Sequence, residues 1–397
     1  MRSPADLVAE RVKRIPPYPF AVLEKKVSEL EAKGVDVLNL SIGDPDLPPP
    51  PPILRSLATH AKDPTLQGYS SSRGESSYLE AVAKFYEKRF GARVDPTTQV
   101  CSLLGSKEGI ANLTRAFVNP DDVVLCPDPG YPVYSRAGSI LNDARSLAFP
   151  LDPAAGFAPD WEAAERAAKD AGEKARLVFL NYPNNPTGGT VELKNLERAV
   201  EFARNHGLLL AYDNAYSEMV FGDYRAPSIL QVQGADEVAV EFGTLSKTFN
   251  MTGSRIGWAV GNRDAVAALA KVKSQVDSGN QKYVQAAGVD ALAWYSEDAG
   301  RKFLAKMNRI YQRRFRALIG GLKRIGIKSR MPRGTFYLFV RAGDKEEDAN
   351  ALLDRLLSNG VVATPGGAFG ARGANYVRFA LTASPERIAE RFASISN

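Results

Sequence analysis

Six short apolar runs, separated by segments of helical character, dominate the sequence up to residue 261. In chain order they are VCSLL at 100–104, DVVLC at 122–126, RLVFL at 176–180, LLLAY at 208–212, EVAVEF at 237–242 and IGWAVG at 256–261. Continuous apolar runs of this length are typical of strands buried on both faces, and helices between them allow parallel pairing. The pattern therefore predicts an α/β domain with a mostly parallel central sheet flanked by helices.

The pattern changes after about residue 285, where long helices precede strand-like segments at 334–343 and 376–382, with a helix at 348–360 between them. Because 397 residues exceed what one hydrophobic core usually fills, we expect a second, smaller α+β domain. The expected division is an N-terminal arm (1–45) packing with the small domain, a large domain (46–285) and a small C-terminal domain (286–397). The prolines at 48–52 predict a rigid extended connection between the arm and the main body.

Composition excludes several classes of protein. The chain is 44% hydrophobic and 24% charged, with a net charge of only +6, which is too diffuse for a nucleic-acid-binding surface. The basic segment 309–330 has apolar residues at helical spacing and is expected to be a solvated helix. The first residues, MRSPADLVAERVKR, lack the apolar core of a signal peptide, and no apolar stretch is long enough to span a membrane. Cys101 and Cys126 are the only cysteines, and we expect them to be buried free thiols, which are typical of a reducing compartment. The sequence therefore predicts a cytoplasmic protein.

Histidine is scarce, which limits the possible chemistry. His206 lies at a predicted helix end, and His60 follows a proline-rich loop and is expected to have nothing nearby to orient it. A serine or cysteine triad and a histidine-based metal site are therefore not expected. If the protein is an enzyme, its proton transfers must use lysine, tyrosine or carboxylate side chains.

Polar segments follow five of the apolar runs: GSKEGI at 105–110, PDPGYP at 127–132, NYPNNPTG at 181–188, DNAY at 213–216 and GTLSK at 243–247. Each segment by itself has a structural explanation as a turn or a helix cap. In open α/β sheets, however, ligands bind beyond the carboxyl ends of the strands. Five such segments at one edge predict a binding site.

The residue types indicate what this site binds. GSK at 105–107 begins a predicted helix, whose first N–H groups suit a phosphate, and Thr244, Ser246 and Arg255 add two hydroxyls and a guanidinium. Neither G-x-x-x-x-G-K-[ST] nor G-x-G-x-x-G is present, so a single phosphate is a better match than a nucleotide. This set matches pyridoxal phosphate when it is combined with the remaining polar residues of the strand ends: Asp213, Tyr216, Asn185, Tyr131 and Lys247.

Several of these segments resemble a known family. NYPNNPTG, YDNAYSEM at 212–219 and TLSKTFNMTGSRIGW at 244–258 are similar to the class I/II aminotransferases, which adopt pyridoxal-phosphate fold type I. The resemblance extends from IGDPDLP at 42–48 to NYVRFALT at 375–382. IGDPDLP, GSKEGIANL, NYPNNPTGG and YDNAYSE look most like the LL-diaminopimelate aminotransferase branch, which implies a role in lysine and cell-wall precursor synthesis.

The resemblance implies a role for each residue that binds the cofactor in the large domain. Lys247 would bond to the aldehyde carbon of pyridoxal 5'-phosphate and then carry protons, with its pKa lowered by burial and by nearby cations. Asp213 would pair with the protonated pyridine nitrogen. The remaining contacts would be Arg255, Thr244, Ser246 and the backbone around Ser106 and Lys107 to the phosphate, Tyr216 and Asn185 to the phenolic oxygen, and Tyr131 stacked on the ring.

The resemblance also implies how substrate binds. Arg378 would bind the substrate α-carboxylate, with Gly43, Lys107, Asn185 and, in the arm, Tyr18 as further substrate contacts. Tyr69 would reach the phosphate of the neighbouring subunit, which implies a homodimer with shared active sites. Two positions depart from the family pattern: Ser254 stands where a large aromatic is common, and Lys282 stands where an amide is expected. Lys282 would either bind a distal carboxylate or lie on a helix surface.

The leading hypothesis is ping-pong transfer of an amino group between an amino acid and 2-oxoglutarate, with LL-diaminopimelate as the expected donor. An aspartate- or alanine-type aminotransferase is the alternative donor assignment. A pyridoxal-phosphate lyase on the same fold is a further alternative, because the fold does not dictate the reaction. A non-enzymatic ligand-sensing domain is disfavoured, because no DNA-binding extension is present and every expected catalytic position is occupied.

Overall fold

Thirteen strands form three sheets within residues 2–395, which are the residues that this computed structural model describes. In chain order they are β1 Leu38–Asn39, β2 Val100–Leu103, β3 Val123–Asp128, β4 Arg145–Asp152, β5 Ala158–Pro159, β6 Ala175–Asn181, β7 Leu209–Asp213, β8 Ala239–Thr244, β9 Gly257–Gly261, β10 Tyr337–Arg341, β11 Val361–Val362, β12 Thr364–Pro365 and β13 Tyr376–Ala380.

The α-helices of the same residues are α1 Glu10–Lys13, α2 Pro19–Glu31, α3 Pro51–His60, α4 Ser76–Phe90, α5 Ser106–Phe117, α6 Val133–Arg136, α7 Trp161–Ala171, α8 Leu193–His206, α9 Leu245–Thr248, α10 Arg263–Lys273, α11 Lys282–Tyr295, α12 Asp298–Arg324, α13 Glu346–Ser358 and α14 Pro385–Ala393. The helix predicted to begin at 105–107 and the helix predicted at 348–360 are confirmed as α5 and α13. The basic segment lies mostly in α12, where Phe315, Leu318 and Leu322 are buried.

The central sheet has eight strands in the order β2-β9-β8-β7-β6-β3-β4-β5. Its middle pairs are parallel, while β9 is antiparallel to both β8 and β2. Along β6, Leu177 and Phe179 pack into one hydrophobic cluster and Val178 and Leu180 into another, on the opposite face. Burial on both faces explains why the strands read as continuous apolar runs.

The parallel strands and β2 all run in one direction, so their carboxyl ends lie at one edge of the sheet. This edge receives the polar residues that follow β2, β3, β6, β7 and β8. It also receives Arg255, because β9 runs in the opposite direction and begins at this edge. The predicted clustering of the polar segments is therefore a consequence of the sheet topology.

The C-terminal part contains a three-stranded antiparallel sheet, β10-β13-β12, with α12, α13 and α14 nearby. β1 pairs with β11 in parallel, and Val27 of α2 packs with Val37 and Val362. The N-terminal segment thus contacts the C-terminal part directly. The domain boundaries at 45 and 285 remain a prediction.

Two predictions about local structure were wrong. The prolines at 48–52 do not form one extended connection, because Pro51 and Pro52 are the first two residues of α3. Proline is well tolerated there, since the first turn of a helix needs no N–H donor. His60 is also not without an orienting partner, because its Nε2 lies 2.9 Å from Oδ2 of Asp290.

Candidate active site

A cavity of about 330 Å³ lies at the carboxyl edge of the central sheet, where it meets the segment after β1 and strands β10 and β13. It contains thirteen of the residues singled out in the sequence: Tyr18, Gly43, Ser106, Lys107, Tyr131, Asn185, Asp213, Tyr216, Thr244, Ser246, Lys247, Arg255 and Arg378. The other lining residues include Asp44, Gly105, Asn181 and Tyr337. The structure therefore brings together side chains from positions 18 to 378 of the chain.

One end of the cavity is suited to an anion. Ser106 begins the twelve-residue helix α5, so the unpaired N–H groups of its first turn lie at the cavity wall. Gly105, just before it, has φ +81°, and a Cβ there would lie 2.4 Å from Nη2 of Arg255. Only glycine allows the backbone and the guanidinium to lie this close together.

Ser246 provides an independent indication of a ligand at this end. Its hydroxyl oxygen is buried and has no hydrogen-bond partner among the residues that the structure describes. A buried hydroxyl without a partner is costly unless a ligand or water satisfies it. The hydroxyl of Thr244 is already used, since it donates to the carbonyl of Ile256 and accepts from the N–H of Ser246. The helix terminus, the Ser246 hydroxyl and Arg255 together fit a phosphate group.

Lys247 lies on α9, immediately after β8, and its ammonium donates a hydrogen bond to the carbonyl of Gly43 at 3.0 Å. Burial is the main reason why the pKa of Lys247 is lowered to about 8; the Asp44 carboxylate opposes this shift, and the nearby Arg255 and Arg378 contribute to it. A substantial fraction of the amine is therefore neutral near physiological pH, as a nucleophile requires.

Asp213 ends β7 and is held in place from two sides. The Tyr134 hydroxyl donates to Oδ2 of Asp213 at 2.7 Å, and Nδ2 of Asn181 donates to the backbone carbonyl of Asp213 at 2.7 Å. Burial raises the pKa of the Asp213 carboxyl to about 6, although the Tyr134 hydrogen bond favours the charged form. A buried carboxylate with no cation beside it is costly, so this position suits a ligand that carries positive charge.

Tyr216 and Tyr337 share a hydrogen bond, with their hydroxyl oxygens 3.1 Å apart. A Cβ at Gly43 would lie 2.0 Å from the Tyr337 hydroxyl oxygen, so glycine is required for this close packing. Burial raises the pKa of Tyr216 well above its ordinary value, which leaves its hydroxyl protonated and able to donate a hydrogen bond.

Arg378 lies in the middle of β13 and is only 1% exposed. Its Nη1 donates to Oδ1 of Asn185 at 3.0 Å, and its Nη2 donates to the carbonyl of Ser41 at 2.7 Å. The guanidinium also lies over the Tyr337 ring, 4.4 Å from the centroid. Arg378 is thus a pre-oriented cation in the cavity wall, and it suits a planar carboxylate.

Tyr131 and Tyr18 form an aromatic wall. Tyr131 packs edge-on against Tyr134, with ring centroids 5.6 Å apart. Burial, followed by the nearby Tyr18 hydroxyl, raises the pKa of Tyr131. The ammonium of Lys107 lies 4.7 Å from the centroid of the Tyr18 ring, which places a cation beside this wall.

Tyr69, Ser254 and Lys282 are not among the residues that line this cavity. The Tyr69 side chain is 88% exposed, so its predicted contact with a neighbouring subunit stays a prediction. Ser254 lies in the turn before β9, and Lys282 is the first residue of α11. His206 contacts Glu165, away from the site.

The sequence-based prediction missed Asn181, Tyr134 and Tyr337. Asn181 ends β6 and pairs with Asp213 in the sheet register, so its position at a strand end was a usable signal. Tyr134 follows Tyr131 by three residues, a spacing that places two side chains on one face of a helical turn. Tyr337 gave no comparable signal, because it comes from a strand of a different sheet.

The sequence model of the family described as Aminotransferase class I and II matches residues 35–395. The chain belongs to this aminotransferase family. It is 45% identical over 384 residues to an LL-diaminopimelate aminotransferase of Syntrophobacter fumaroxidans (strain DSM 10017 / MPOB), a match that covers 96% of each chain. It is 42% identical over 382 residues to an LL-diaminopimelate aminotransferase of Moorella thermoacetica (strain ATCC 39073 / JCM 9320), again covering 96% of each chain.

A solved structure shows the same fold. A single mutant of the aspartate aminotransferase of Thermus thermophilus superposes with a TM-score of 0.88 at 27% identity, over 100% of both chains. The fold is therefore pyridoxal-phosphate fold type I, as the resemblance implied. The protein is a pyridoxal-phosphate-dependent aminotransferase that acts on amino acids and 2-oxo acids. Among the described residues, no helix has the length and apolar character needed to cross a membrane.

Proposed function

We propose that this aminotransferase transfers the amino group of LL-diaminopimelate to 2-oxoglutarate in a ping-pong reaction, as a step of lysine biosynthesis. The observation that supports this donor is the 45% identity to an LL-diaminopimelate aminotransferase over nearly the full length of both chains. An aspartate- or alanine-type donor is the alternative, since an aspartate aminotransferase has the same fold at lower identity.

Different residues of the cavity would bind the cofactor and the substrate. The N–H groups around Ser106 and Lys107, the Ser246 hydroxyl and Arg255 would hold the phosphate, with Thr244 shaping this end. Asp213, kept in place by Tyr134, would pair with the pyridine nitrogen, and a cation there would relieve the cost of its buried charge. Tyr216 and Asn185 would hold the phenolic oxygen, with Tyr131 against the ring.

When bound, pyridoxal phosphate supplies an aldehyde that accepts amino groups and a ring that stabilises negative charge at the substrate α-carbon. Arg378 would hold the α-carboxylate, supported by Asn185, while Gly43 leaves room beside it. With a pKa near 8, Lys247 can be neutral at physiological pH and take the proton from the substrate α-carbon. Tyr18 and Lys107, which also line the cavity, would contact the distal part of the substrate.

A donor screen tests the proposal. The purified enzyme is given 2-oxoglutarate and, separately, LL-diaminopimelate, aspartate or alanine, and glutamate production is measured. We expect kcat/KM to be highest with LL-diaminopimelate. Turnover with aspartate or alanine but not with LL-diaminopimelate would make the donor assignment wrong while leaving the reaction class intact. Loss of ammonia or carbon dioxide from a donor, without formation of glutamate and without conversion of the cofactor to its amine form, would indicate a lyase.

We also propose that the enzyme is a cytoplasmic homodimer whose active sites share residues between subunits. The exposed Tyr69 supports this arrangement, because it does not line the cavity of its own subunit and is free to contact a neighbouring one. Mixing Tyr69→Phe and Arg255→Ala subunits tests it. After random reassociation, each mixed dimer should contain one site with both native residues, which amounts to about a quarter of all sites. The mixture should therefore be more active than either variant alone. No gain on mixing would contradict a shared site.

A further inference from the structure

Asn280 is a buried amide that lies outside the cavity, in the segment between α10 and α11. Its side chain is 1% exposed and makes three hydrogen bonds. Nδ2 donates to the carbonyl of Leu103 at 2.7 Å and to the carbonyl of Arg255 at 2.9 Å, while Oδ1 accepts from the Ser102 hydroxyl at 2.8 Å. Both N–H groups and the oxygen of the amide are thereby satisfied.

The two carbonyls that Asn280 binds flank the anion-binding end of the cavity. Leu103 ends β2, two residues before Gly105, where the chain turns into α5. Arg255 lies just before β9, the strand that pairs with β2. One buried amide therefore joins the segment that presents the helix N-terminus to the segment that presents the guanidinium.

Arg255 needs this support, because its backbone adopts φ +50°, a conformation that costs free energy in a residue other than glycine. Such a conformation persists only when its surroundings hold it. The Asn280 hydrogen bond holds the Arg255 carbonyl, while the guanidinium donates to the carbonyls of Thr252 and Leu104, both at 2.9 Å. Arg255 is thus fixed at its backbone and at its guanidinium.

Asn280 is itself fixed by a second buried amide. Nε2 of Gln285 donates to the Asn280 carbonyl at 2.9 Å, and Oε1 of Gln285 accepts from the N–H of Glu75 at 2.8 Å. At the neighbouring Gly279, a Cβ would lie 2.5 Å from the carbonyl oxygen of Ser71. The segment that carries Asn280 therefore has little freedom to move relative to β2 and β9.

We propose that Asn280 is a positioning residue for the phosphate of the cofactor, acting through the backbone of Arg255 and of Leu103. This inference rests on the proposed assignment of Arg255 and the α5 N-terminus to the phosphate. Replacing Asn280 by alanine leaves two buried carbonyls without their donor and removes one support from the Arg255 backbone. The anion-binding end then loses its fixed geometry, while the groups assigned to the ring of the cofactor keep theirs.

The experiment compares the affinity of the apoenzyme for pyridoxal 5'-phosphate with its affinity for pyridoxal, which lacks the phosphate. We expect Asn280→Ala to reduce affinity for the phosphorylated form about tenfold, the effect of weakening one charge-assisted hydrogen bond, and to leave affinity for pyridoxal unchanged. Ser102→Ala, which removes only the bond that orients the Asn280 amide, should give a smaller shift in the same direction.

Asn262→Ala is the matched control, because Nδ2 of Asn262 also donates to two backbone carbonyls, those of Asp236 and Glu237, but at the opposite end of β9 from Arg255. It should lower the melting temperature without changing the preference for the phosphorylated form. Combined with Arg255→Ala, Asn280→Ala should have little additional effect on that preference, because the two residues act as one unit.

Two results would overturn the inference. If Asn280→Ala reduces the affinity for both ligands equally, or changes only the melting temperature as Asn262→Ala should, then Asn280 merely stabilises the fold. If Arg255→Ala itself leaves the preference for the phosphorylated form unchanged, the proposed phosphate assignment is wrong, and the role of Asn280 fails with it.

Discussion

The amine of Lys247 should titrate near pH 8 in the apoenzyme, against an ordinary value of 10.5 for lysine. Burial is the main cause, because the cavity wall replaces the water that would solvate an ammonium group. At pH 7 a pKa of 8 leaves about 9% of the amine neutral, whereas a pKa of 10.5 leaves about 0.03%. The structure therefore increases the reactive fraction of Lys247 about 300-fold at this pH.

Competitive labelling of the apoenzyme with acetic anhydride measures this titration, because the reagent acylates only neutral amines. Labelling is carried out from pH 6 to 10, and the modified peptides are quantified by mass spectrometry. Lys25, whose side chain is 81% exposed, provides a reference within the same protein. The labelling midpoint of Lys247 should lie near pH 8. A midpoint near 10.5 would refute the argument from burial.

Asp44→Asn refines the same experiment. The Asp44 carboxylate raises the pKa of Lys247, so its removal should lower the labelling midpoint by a few tenths of a unit, as expected for a partly screened charge. Arg378→Met should shift the midpoint in the opposite direction, since the Arg378 guanidinium lowers the same pKa. Shifts of reversed sign would show that the local charges do not act as the geometry indicates.

Three further predictions concern stability and activity. Burial raises the pKa of Asp213 to about 6, so its carboxylate destabilises the apoenzyme above pH 6, and this cost diminishes as the pH falls from 6 towards 3.8. Asp213→Asn should therefore stabilise the apoenzyme by up to about 3 kcal/mol at pH 8 and by much less at pH 4, which thermal denaturation at the two pH values measures. Activity should fall at least about a hundredfold. A lower melting temperature of the variant at pH 8 would contradict this prediction. Gly43→Ala should reduce the free energy of unfolding by about 1–3 kcal/mol and lower kcat/KM, because the added Cβ would collide with Tyr337. Gly253→Ala is the control: the added Cβ meets open space, so thermal denaturation and kinetics should not change. Arg314→Met should reduce the free energy of unfolding by about 1–3 kcal/mol, because the Arg314 side chain is 4% exposed and pairs with Asp46 at 2.6 Å. An unchanged melting temperature would show that this ion pair contributes nothing to stability.

The sequence predicted Ser106, Asp213 and Thr244 as neighbours because each lies at or just beyond the end of an apolar run. A parallel sheet brings such ends to one edge, so the prediction needed only the order and direction of the strands. The strand-end argument also included Lys247, whereas Arg378 came from the family resemblance, and the structure places both on the same cavity. Their assigned roles remain proposals.

Contacts between distant segments could not be predicted in this way. Tyr337 meets Tyr216 across 121 positions of sequence, and Asn280 meets Leu103 across 177. Neither pair shares a strand register or a helical face, so no periodicity in the sequence connects them. The wrong expectation of an extended proline connection at 48–52 has a related cause, because the same residues can begin a helix once the chain around them packs.

The sequence by itself determined the order of strands and helices and the chemical groups available at the edge of the sheet, because these depend on local periodicity and on residue type. Only the tertiary structure decided how Lys247 and Asp213 ionise. Both pKa values are set mainly by the loss of solvating water. Charges from other segments modify the pKa of Lys247, and a hydrogen bond from Tyr134 modifies that of Asp213; all of these causes arise only when the chain is packed.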